Sequence, residues 1–321
     1  MAETIDSVQP EKILKELEKL WIEKGQAEPD KRNAVLRACS MTFLVALDET
    51  DDAQAAGETL AELMHEHPSR AIVLRIDTRP GDTLEAVVLA QCWMPFGRRQ
   101  QICCEQIEIR ASAARLEEVP RIIMGVMVPD LPVVLWCRGP ELCRDERFQR
   151  LFPLMDKLIV DSARFADAAD GIEFVKSLRG RVLAADLAWT RLTRWREMVA
   201  LLFDDAPSRA LVANVERIVI RHPAGRTPAA AHYLAGWLKR TMPSPVKVSF
   251  EEKAGKELEI SGIVFSGTGV EASIVSNGSC VDLTMNSITS GVPFPKISEL
   301  ETLRDELSIL SRDPVFEGIQ G

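Results

Sequence analysis

The residues best suited to binding a metal ion are few and widely spaced. The chain has four histidines and seven cysteines, its one close histidine pair is His65-x-His67, and no Cys-x2-Cys spacing occurs. A structural zinc ion needs about four clustered nitrogen or sulfur ligands. His67 precedes Pro68 at the end of a predicted helix, where a cap facing the helix dipole is the simpler interpretation. The sequence therefore predicts no metal site.

Motifs for nucleophilic or phosphate chemistry are also missing from the sequence. An α/β-hydrolase needs Gly-x-Ser-x-Gly on a tight turn, and nucleotide phosphates need a glycine-rich loop before a helix. Neither pattern occurs. Gly267-Thr268-Gly269 separates two predicted strands, so it is predicted to form a hairpin turn. Asp204-Asp205 and similar acidic pairs are sequence neighbours, which do not face one another on a helix. We expect no catalytic residue and no cofactor.

The adjacent pair Cys103-Cys104 is the unusual thiol feature of the sequence. Neighbouring residues on a strand point to opposite faces, so a bridge between these two would be strained. An odd number of cysteines without regular spacing is typical of reduced thiols in a cytosolic protein. Buried structural thiols and a redox role both remain open for this pair.

Composition places the chain among soluble globular proteins. Of its 321 residues, 46% are apolar and 27% charged, and the net charge is −9. This acidic balance disfavours binding to nucleic acid or to an anionic membrane surface. The first 25 residues contain no apolar run typical of a signal peptide, and the apolar stretch 122–137 is too short to span a bilayer. We expect a cytoplasmic location.

The elements that position these residues begin with an amphipathic helix over 11–24. A polar break at 26–33 follows, so the helix is expected to be a semi-detached arm that buries its apolar stripe against the body or a partner. Helices and strands then alternate. Strands are predicted at 41–47, 70–77, 84–93, 101–110 and 133–136, with helices at 52–65 and about 116–126. Such alternation with one meander predicts a mixed sheet.

A second pattern of elements starts near Val215. It comprises a strand at 215–221, a helix at about 228–241, a β-meander at 246–251, 257–265, 270–275 and 280–285, and a last helix. Asn277-Gly278 is a strong hairpin signal, and Ser298-x-x-Glu301 is a capping box. The predicted fold class is α/β, with two mixed α/β domains, the second built on the β-meander with flanking helices.

The expected division of the chain has three parts. These are an N-terminal helix and linker at 1–33, an α/β domain at 34–185, and a second α/β domain at 186–321. The last part is expected to begin with a helix over 186–203, buried at the junction. Its apolar stripe ends at Phe203, before the acidic, proline-containing break 204–207.

The run 186–196, with the sequence DLAWTRLTRWR, carries a family resemblance. It resembles the signature of the OpcA family of glucose-6-phosphate dehydrogenase assembly proteins. The segments 67–70 (HPSR) and 131–136 (LPVVLW) are similar to other recurring segments of that family, in the same order. One departure is Trp136-Cys137, where family members often have a tryptophan pair.

This resemblance implies a function without chemistry of its own. The protein would be a non-catalytic assembly factor and allosteric activator. It would bind glucose-6-phosphate dehydrogenase and promote its active oligomeric state in the bacterial oxidative pentose phosphate pathway. The candidate partner-interface or motif residues are Trp189, Arg191, Arg196, His67 and Arg70.

Helical spacing predicts different environments for the two tryptophans of the run. Trp195 lies near the centre of the apolar stripe and is predicted to be a core anchor, so Trp195→Ala should cost about 3–5 kcal/mol of stability. Trp189 lies at the margin beside Arg196, a pairing typical of an interface hot spot. The alternative is a buried Trp189 covered by an arginine. On the interface hypothesis, Trp189→Ala would cost less stability and weaken partner binding instead.

A second function stays open at this point. Arg70, Arg191 or Arg196 could grip the phosphate of a sugar phosphate in an enzyme or metabolite sensor. Arginines without a glycine-rich loop or an acid–base pair favour the assembly factor over this alternative.

Overall fold

The computed structural model describes residues 8–26, 35–95, 101–253 and 259–319. The chain forms two compact units. The first comprises Met1–Val160 and Leu178–Ala185, and the second comprises Asp161–Ser177 and Asp186–Gly321. The segment 161–177 thus leaves the first unit and joins the second. No helix among the described residues is both long and apolar enough to cross a membrane.

The first unit is an α/β layer structure. Its helices are α1 (Pro10–Gln26), α2 (Ala53–Glu66), α3 (Val119–Val126) and α4 (Pro140–Arg144). Its strands are β1 (Leu36–Arg37), β2 (Met41–Asp48), β3 (Ser69–Asp77), β4 (Leu84–Trp93), β5 (Ile102–Ser112), β6 (Val133–Cys137), β7 (Lys157–Val160) and β8 (Ala184–Asp186, whose last residue belongs to the second unit).

The sheet of the first unit has the order β1-β5-β3-β2-β6-β7-β8, with β4 paired antiparallel to β5. The pairs β5–β3, β3–β2, β2–β6 and β6–β7 are all parallel. β2 is buried along almost its whole length, as a central parallel strand covered on both faces must be. The strand order reverses between β2 and β6, which is the arrangement of a doubly wound fold.

The N-terminal helix packs against its own unit. Ile13 and Leu17 are buried, and α1 contacts α3 and β4. Trp21 Nε1 donates a hydrogen bond of 2.6 Å to Glu105 Oε1 on β5. Of the two locations expected for the apolar stripe, the body is the one observed. Most of the predicted polar break at 26–33 lies outside the described residues.

The second unit combines a sheet with helices on one side. Its helices are α5 (Ala168–Ser177), α6 (Leu187–Thr190), α7 (Thr193–Leu202), α8 (Ala206–Leu211), α9 (Ala229–Thr241), α10 (Glu299–Leu307) and α11 (Pro314–Ile319). Its strands are β9 (Val215–Pro223), β10 (Lys247–Lys253), β11 (Gly262–Gly267), β12 (Val270–Asn277), β13 (Cys280–Met285) and β14 (Ile288–Pro293). They pair in the order β10-β9-β11-β12-β13-β14.

The predicted meander is correct in part. Both predicted hairpins are confirmed, because each joins two antiparallel strands, but the second turn lies at Gly278-Ser279, one residue after the predicted Asn277-Gly278. β10 does not belong to the meander. It pairs in parallel with β9, because α9 connects the two strands and returns the chain to the same end of the sheet. β14, which pairs with β13, was not predicted.

The predicted single helix over 186–203 is wrong. Asp186 ends β8 and caps α6, and Arg191 and Leu192 separate α6 from α7. Threonine hydroxyls bind backbone carbonyls at this break: Thr190 Oγ1 donates to Asp186 O, and Thr193 Oγ1 donates to Thr190 O. Such bonds compete with a continuous helix. The placement of this segment at a domain junction stays a prediction.

The prediction of reduced thiols is also wrong. Cys92 and Cys103 are register partners on β4 and β5, and their sulfur atoms form a disulfide. A second disulfide joins Cys137 to Cys143 across the turn into α4. Sequence spacing missed the first pair because strand register, and not separation along the chain, brings the two side chains together. Cys104 keeps a free, buried thiol whose pKa burial raises to about 11.

Candidate functional site

The run 186–196 lies among the elements of the second unit, and its first residue is a buried carboxylate. Asp186 Oδ1 accepts hydrogen bonds from the backbone N–H groups of Ser162 at 3.0 Å and Ala188 at 2.9 Å. Its Oδ2 accepts a hydrogen bond of 2.7 Å from the Tyr233 hydroxyl on α9. Burial, and next the charge of Asp161, raise the pKa of the Asp186 carboxyl to about 6. This residue therefore joins α6, α9 and the segment at 162.

The raised pKa of Asp186 gives a testable pH dependence. Between pH 3.8 and about 6, the Asp186 carboxyl is protonated in the folded chain and ionised in the unfolded chain. The stability contributed by this proton is fully present below pH 3.8 and is lost as the pH rises through about 6. We expect the free energy of unfolding of the wild type, minus that of Asp186→Asn, to fall by up to about 3 kcal/mol over this range.

Urea unfolding of the two proteins at a series of pH values measures this difference. The asparagine variant is the matched reference, because every other titrating carboxyl group is common to both chains. A difference that stays flat or rises with pH would show that Asp186 is ionised in the folded state.

Trp189 is a packed residue of the second unit and is only 3% exposed. Its ring stacks on Phe316 of α11 at a centroid distance of 5.5 Å, and its Nε1 donates a hydrogen bond of 2.8 Å to Asp313 Oδ2. The guanidinium of Arg196, a residue of α7, lies 3.9 Å from the centroid of the Trp189 ring. The burial supports the packing alternative for Trp189, with Arg196 as its cover.

Arg191 occupies the break between α6 and α7 and is held by carboxylates. Its two terminal nitrogens donate to Asp161 at 3.0 and 2.8 Å, and Nη2 also lies 3.4 Å from Glu259 Oε1. Burial acts to lower the pKa of Arg191, but the neighbouring Asp161 outweighs it, so the pKa is raised. Burial raises the pKa of Glu259, and Arg191 opposes this effect. The terminal nitrogens of Arg191 are thus already bound by carboxylates of its own chain.

Trp195 is 6% exposed and packs edge-on against Phe294 at a centroid distance of 5.0 Å. Its assignment as a core anchor is therefore confirmed. Beside it lies a cavity of about 460 Å³ with a mainly apolar wall that includes Leu192 and Ile260. Arg191, Glu259 and Lys296 are the charged residues that line this cavity.

The two remaining candidates, His67 and Arg70, belong to the first unit. His67 is the C-cap of α2, as predicted, and its backbone N–H donates to Leu63 O. Arg70 is 7% exposed at the start of β3. Its Nε donates to Glu105 Oε2 at 2.6 Å, and its Nη1 donates to Val126 O at 2.7 Å. Trp189, Arg191 and Arg196 are therefore neighbours in one unit, and His67 and Arg70 are neighbours in the other.

Several partner residues were not found from the sequence. Asp161, Glu259, Asp313 and Phe316 bind the run 186–196 from positions far along the chain. Asp313 before Pro314 is a helix-start signal. That signal could have located α11, but it could not have shown which side chain Asp313 binds.

The carboxyl end of β2 is where a doubly wound fold binds nucleotide phosphates, at the point of strand reversal. Here the loop from β2 to α2 is acidic, with the sequence DETDD over 48–52. Asp52 caps α2 by accepting hydrogen bonds from the backbone N–H groups of Gln54 and Ala55, each at 3.0 Å. A carboxylate thus occupies the helix N-terminus that would otherwise attract a phosphate.

The described part of the chain contains no group of three or more His, Cys, Asp or Glu side chains that could hold a metal ion. The chemically distinctive groups at the run 186–196 are a buried aspartate, an arginine bound by carboxylates, and aromatic rings. These groups hold elements together, and none of them is a nucleophile next to a base.

Comparison with protein families gives two matches along the chain. Residues 60–177 match the family described as the N-terminal domain of the glucose-6-phosphate dehydrogenase subunit. Residues 183–319 match the family described as the C-terminal domain of the same protein. The resemblance drawn from the run 186–196 is therefore confirmed.

Two curated relatives carry the provisional name OxPP cycle protein OpcA. The relative from Nostoc punctiforme is 30% identical over 208 residues, which is 64% of this chain and 44% of the relative. The relative from Synechocystis is 31% identical over 190 residues, which is 58% of this chain and 39% of the relative. The matched part of this chain thus spans less than half the length of these relatives.

Solved structures show a more distant similarity. Biliverdin reductase from Synechocystis, in complex with biliverdin and NADP+, has 7% identity and a TM-score of 0.47, covering 87% of this chain and 95% of that one. The oxidoreductase yvaA from Bacillus subtilis has 8% identity and a TM-score of 0.44, covering 87% and 93%. Similarity at this level says nothing about activity. With both domain families matched, the chain belongs to the OpcA family of glucose-6-phosphate dehydrogenase subunit proteins.

Proposed function

We propose that this protein is a non-catalytic assembly factor that binds glucose-6-phosphate dehydrogenase in the bacterial cytoplasm. It would raise the activity of the enzyme by favouring its active oligomer within the oxidative pentose phosphate pathway. The observation that carries the proposal is the match of residues 60–177 and 183–319 to the two domains of a dehydrogenase subunit family. We expect neither nucleic acid nor a membrane among its partners.

The loop at 48–52 supports a role without nucleotide chemistry. A dehydrogenase binds the dinucleotide pyrophosphate at a glycine-rich turn and a free helix N-terminus. In this chain the turn is acidic, and Asp52 already accepts the hydrogen bonds of the first N–H groups of α2. An added phosphate would meet like charge at that point.

The three candidate arginines argue against a sugar-phosphate sensor. Arg70 is bound to Glu105 and Val126, and Arg191 is bound to Asp161 and Glu259. Arg196 covers the Trp189 ring and donates to Thr193 Oγ1. A phosphate would have to displace a buried carboxylate or an aromatic ring, which makes these sites poor receptors.

An assembly factor acts by linkage, because it can shift the enzyme toward the active state only by binding that state more tightly. We expect its addition to raise dehydrogenase activity mainly at subsaturating glucose 6-phosphate. The shift in apparent substrate affinity should be about 5–150-fold, the usual range of coupling between two sites. Glucose 6-phosphate should in turn tighten the complex by the same factor.

The test is a titration of the cognate dehydrogenase with this protein at several substrate concentrations, with the assembly size followed by light scattering. The protein alone, given glucose 6-phosphate and nicotinamide cofactor, is the control and should show no turnover. Calorimetry should detect no binding of the sugar phosphate to the protein alone. An increase in activity equal at all substrate concentrations would contradict the linkage mechanism, and turnover by the protein alone would contradict the non-catalytic role.

Trp189, Arg191, Arg196 and Arg70 are bound within their own units, so they are proposed to support partner binding through the fold, and His67 offers the cleanest test of a direct contact. Its side chain takes no part in a hydrogen bond among the described residues, so His67→Ala should leave the fold intact. His65→Ala, in the last turn of the same helix, is the control, with thermal melting to account for its lost contact with the Trp93 ring at a centroid distance of 4.8 Å. If both variants bind the dehydrogenase equally well, His67 is not part of the contact.

A further inference from the structure

The sheet of the second unit has two unlike faces. The inner face carries Ile218, Ile263, Phe265 and Ile274, all fully buried. Phe203 at the end of α7 packs on Phe265, and α9 contacts β9 and β10 on the same side. The residues that alternate with these on each strand form the outer face of the sheet.

The centre of the outer face is unusually short of charge. Val264 on β11 pairs with Val219 on β9 and with Ser273 on β12, and Ser273 pairs with Thr284 on β13. All four are half-buried, as is Val275 in the next row. The solvated face of an antiparallel sheet usually carries long polar side chains. This row of valine, serine and threonine instead forms a smooth surface on which a second sheet could pack.

Charges on the outer face lie at opposite sides of this central row. The side formed by β9 and β10 carries Arg217, Arg221, Lys247 and Lys253, together with Glu251, which accepts a hydrogen bond of 2.8 Å from Arg221 Nε. The side formed by β12 and β13 carries Glu271 and Asp282 and no basic residue on this face. The face is therefore mainly basic on one side and acidic on the other, so it is complementary to a copy of itself whose two sides are exchanged.

We propose that two copies of this chain form a dimer through the outer faces of these sheets. The two-fold axis runs parallel to the strands and passes between β11 and β12, which are the third and fourth of the six strands. Rotation about this axis places β9 of one copy over β13 of the other, and β11 over β12. Two sheets packed face to face lie ~10 Å apart and close to parallel.

This axis brings opposite charges together and packs the uncharged central rows of the two copies against each other. Arg221 and Asp282 lie in the same row of the sheet, because Arg221 pairs with Gly262, Gly262 with Val275, and Val275 with Asp282. Each Arg221, which also binds Glu251 of its own copy, therefore faces Asp282 of the second copy, and each Val264 faces Ser273 of the second copy. An axis perpendicular to the strands would place β9 over β9 and bring the arginines together, so the charges favour the parallel axis.

Charge reversal tests the proposal in the full-length protein. In one variant, Arg217→Glu and Arg221→Glu make both sides of the face acidic. In the other, Glu271→Arg and Asp282→Arg make both sides basic. Each variant alone should raise the dissociation constant of the dimer by ~10-fold or more, since like charges would then face each other. An equimolar mixture of the two should form heterodimers, because every facing pair is again complementary.

Sedimentation velocity over a concentration series measures the association, and thermal melting confirms that each variant is folded. Arg209→Glu with Arg312→Glu changes the net charge by the same amount as Arg217→Glu with Arg221→Glu, but at exposed positions off this sheet, and this control should dimerise like the wild type. Val264→Lys gives a second disruption that does not depend on the charged sides.

Two results would overturn the proposal. One is a wild type that stays monomeric up to a concentration on the order of 100 µM. If the same substitutions then abolish dehydrogenase binding, the outer face belongs to the enzyme contact instead. The other is a dimer that survives both charge reversals and Val264→Lys. Because the readout is self-association without dehydrogenase, failure here leaves the proposed function untouched.

Discussion

Trp189→Ala is expected to destabilise the second unit by about 3–5 kcal/mol, as the removal of a large buried aromatic side chain does. The indole is 3% exposed and stacks on Phe316, so its loss leaves a cavity between α6 and α11. The substitution also leaves Asp313 without its indole donor and Arg196 without the ring it covers. This expectation replaces the smaller cost predicted from helical spacing.

Chemical denaturation of the wild type and of two further variants measures the effect. Trp189→Phe keeps an aromatic ring against Phe316 and loses the hydrogen bond to Asp313, so a smaller cost of about 0.5–1.5 kcal/mol is expected for the bond. Trp237→Ala, at a half-buried position on α9, is the matched control and should cost less than Trp189→Ala. A Trp189→Ala chain as stable as the wild type would mean that Trp189 does not hold α11.

Glu105→Ala is expected to destabilise the first unit by about 3–5 kcal/mol, the usual cost of breaking a buried ion pair from one side. Glu105 is 4% exposed on β5. Its carboxylate accepts hydrogen bonds from Arg70 and Trp21 and forms an ion pair with Arg37. Removal of the carboxylate leaves the buried guanidinium of Arg70 uncompensated and releases α1 at Trp21.

A double-mutant cycle separates these contributions. Arg70→Ala combined with Glu105→Ala should cost less than the sum of the two single substitutions, because no buried unpaired charge then remains. Glu105→Gln keeps an acceptor oxygen for Trp21 and should retain the packing of α1, measured by hydrogen exchange over 10–23. A Glu105→Ala chain that unfolds at the wild-type denaturant concentration would rule out Glu105 as the link between α1 and the sheet.

The packing of the run 186–196 changes how its tryptophans are understood. Each of its polar and aromatic residues described above binds a partner within the second unit, so the run holds the unit together. A family signature can therefore mark a structural centre as well as a contact surface. On this basis, partner binding would depend on the run through the shape of the second unit.

Local signals in the sequence determined much of the secondary structure. The hairpin turn at 268–269, the capping box of Ser298 and Glu301, and the C-cap at His67 occur as predicted, and the hairpin predicted at 277–278 occurs one residue later. Each depends on residues no more than a few positions apart, so the chemistry that specifies it can be read along the chain. The alternation of helices and strands likewise predicted the α/β class.

Only the tertiary structure decided which side chains distant along the chain contact one another. Trp189 and Asp313 are 124 positions apart, and Arg70 and Glu105 are 35 positions apart. Cys92 meets Cys103 only through the register of β4 and β5. Helical spacing places a side chain on a face of a helix but cannot say what covers that face. For this reason two alternatives were open for Trp189, and only the packing of α11 against α6 decided between them.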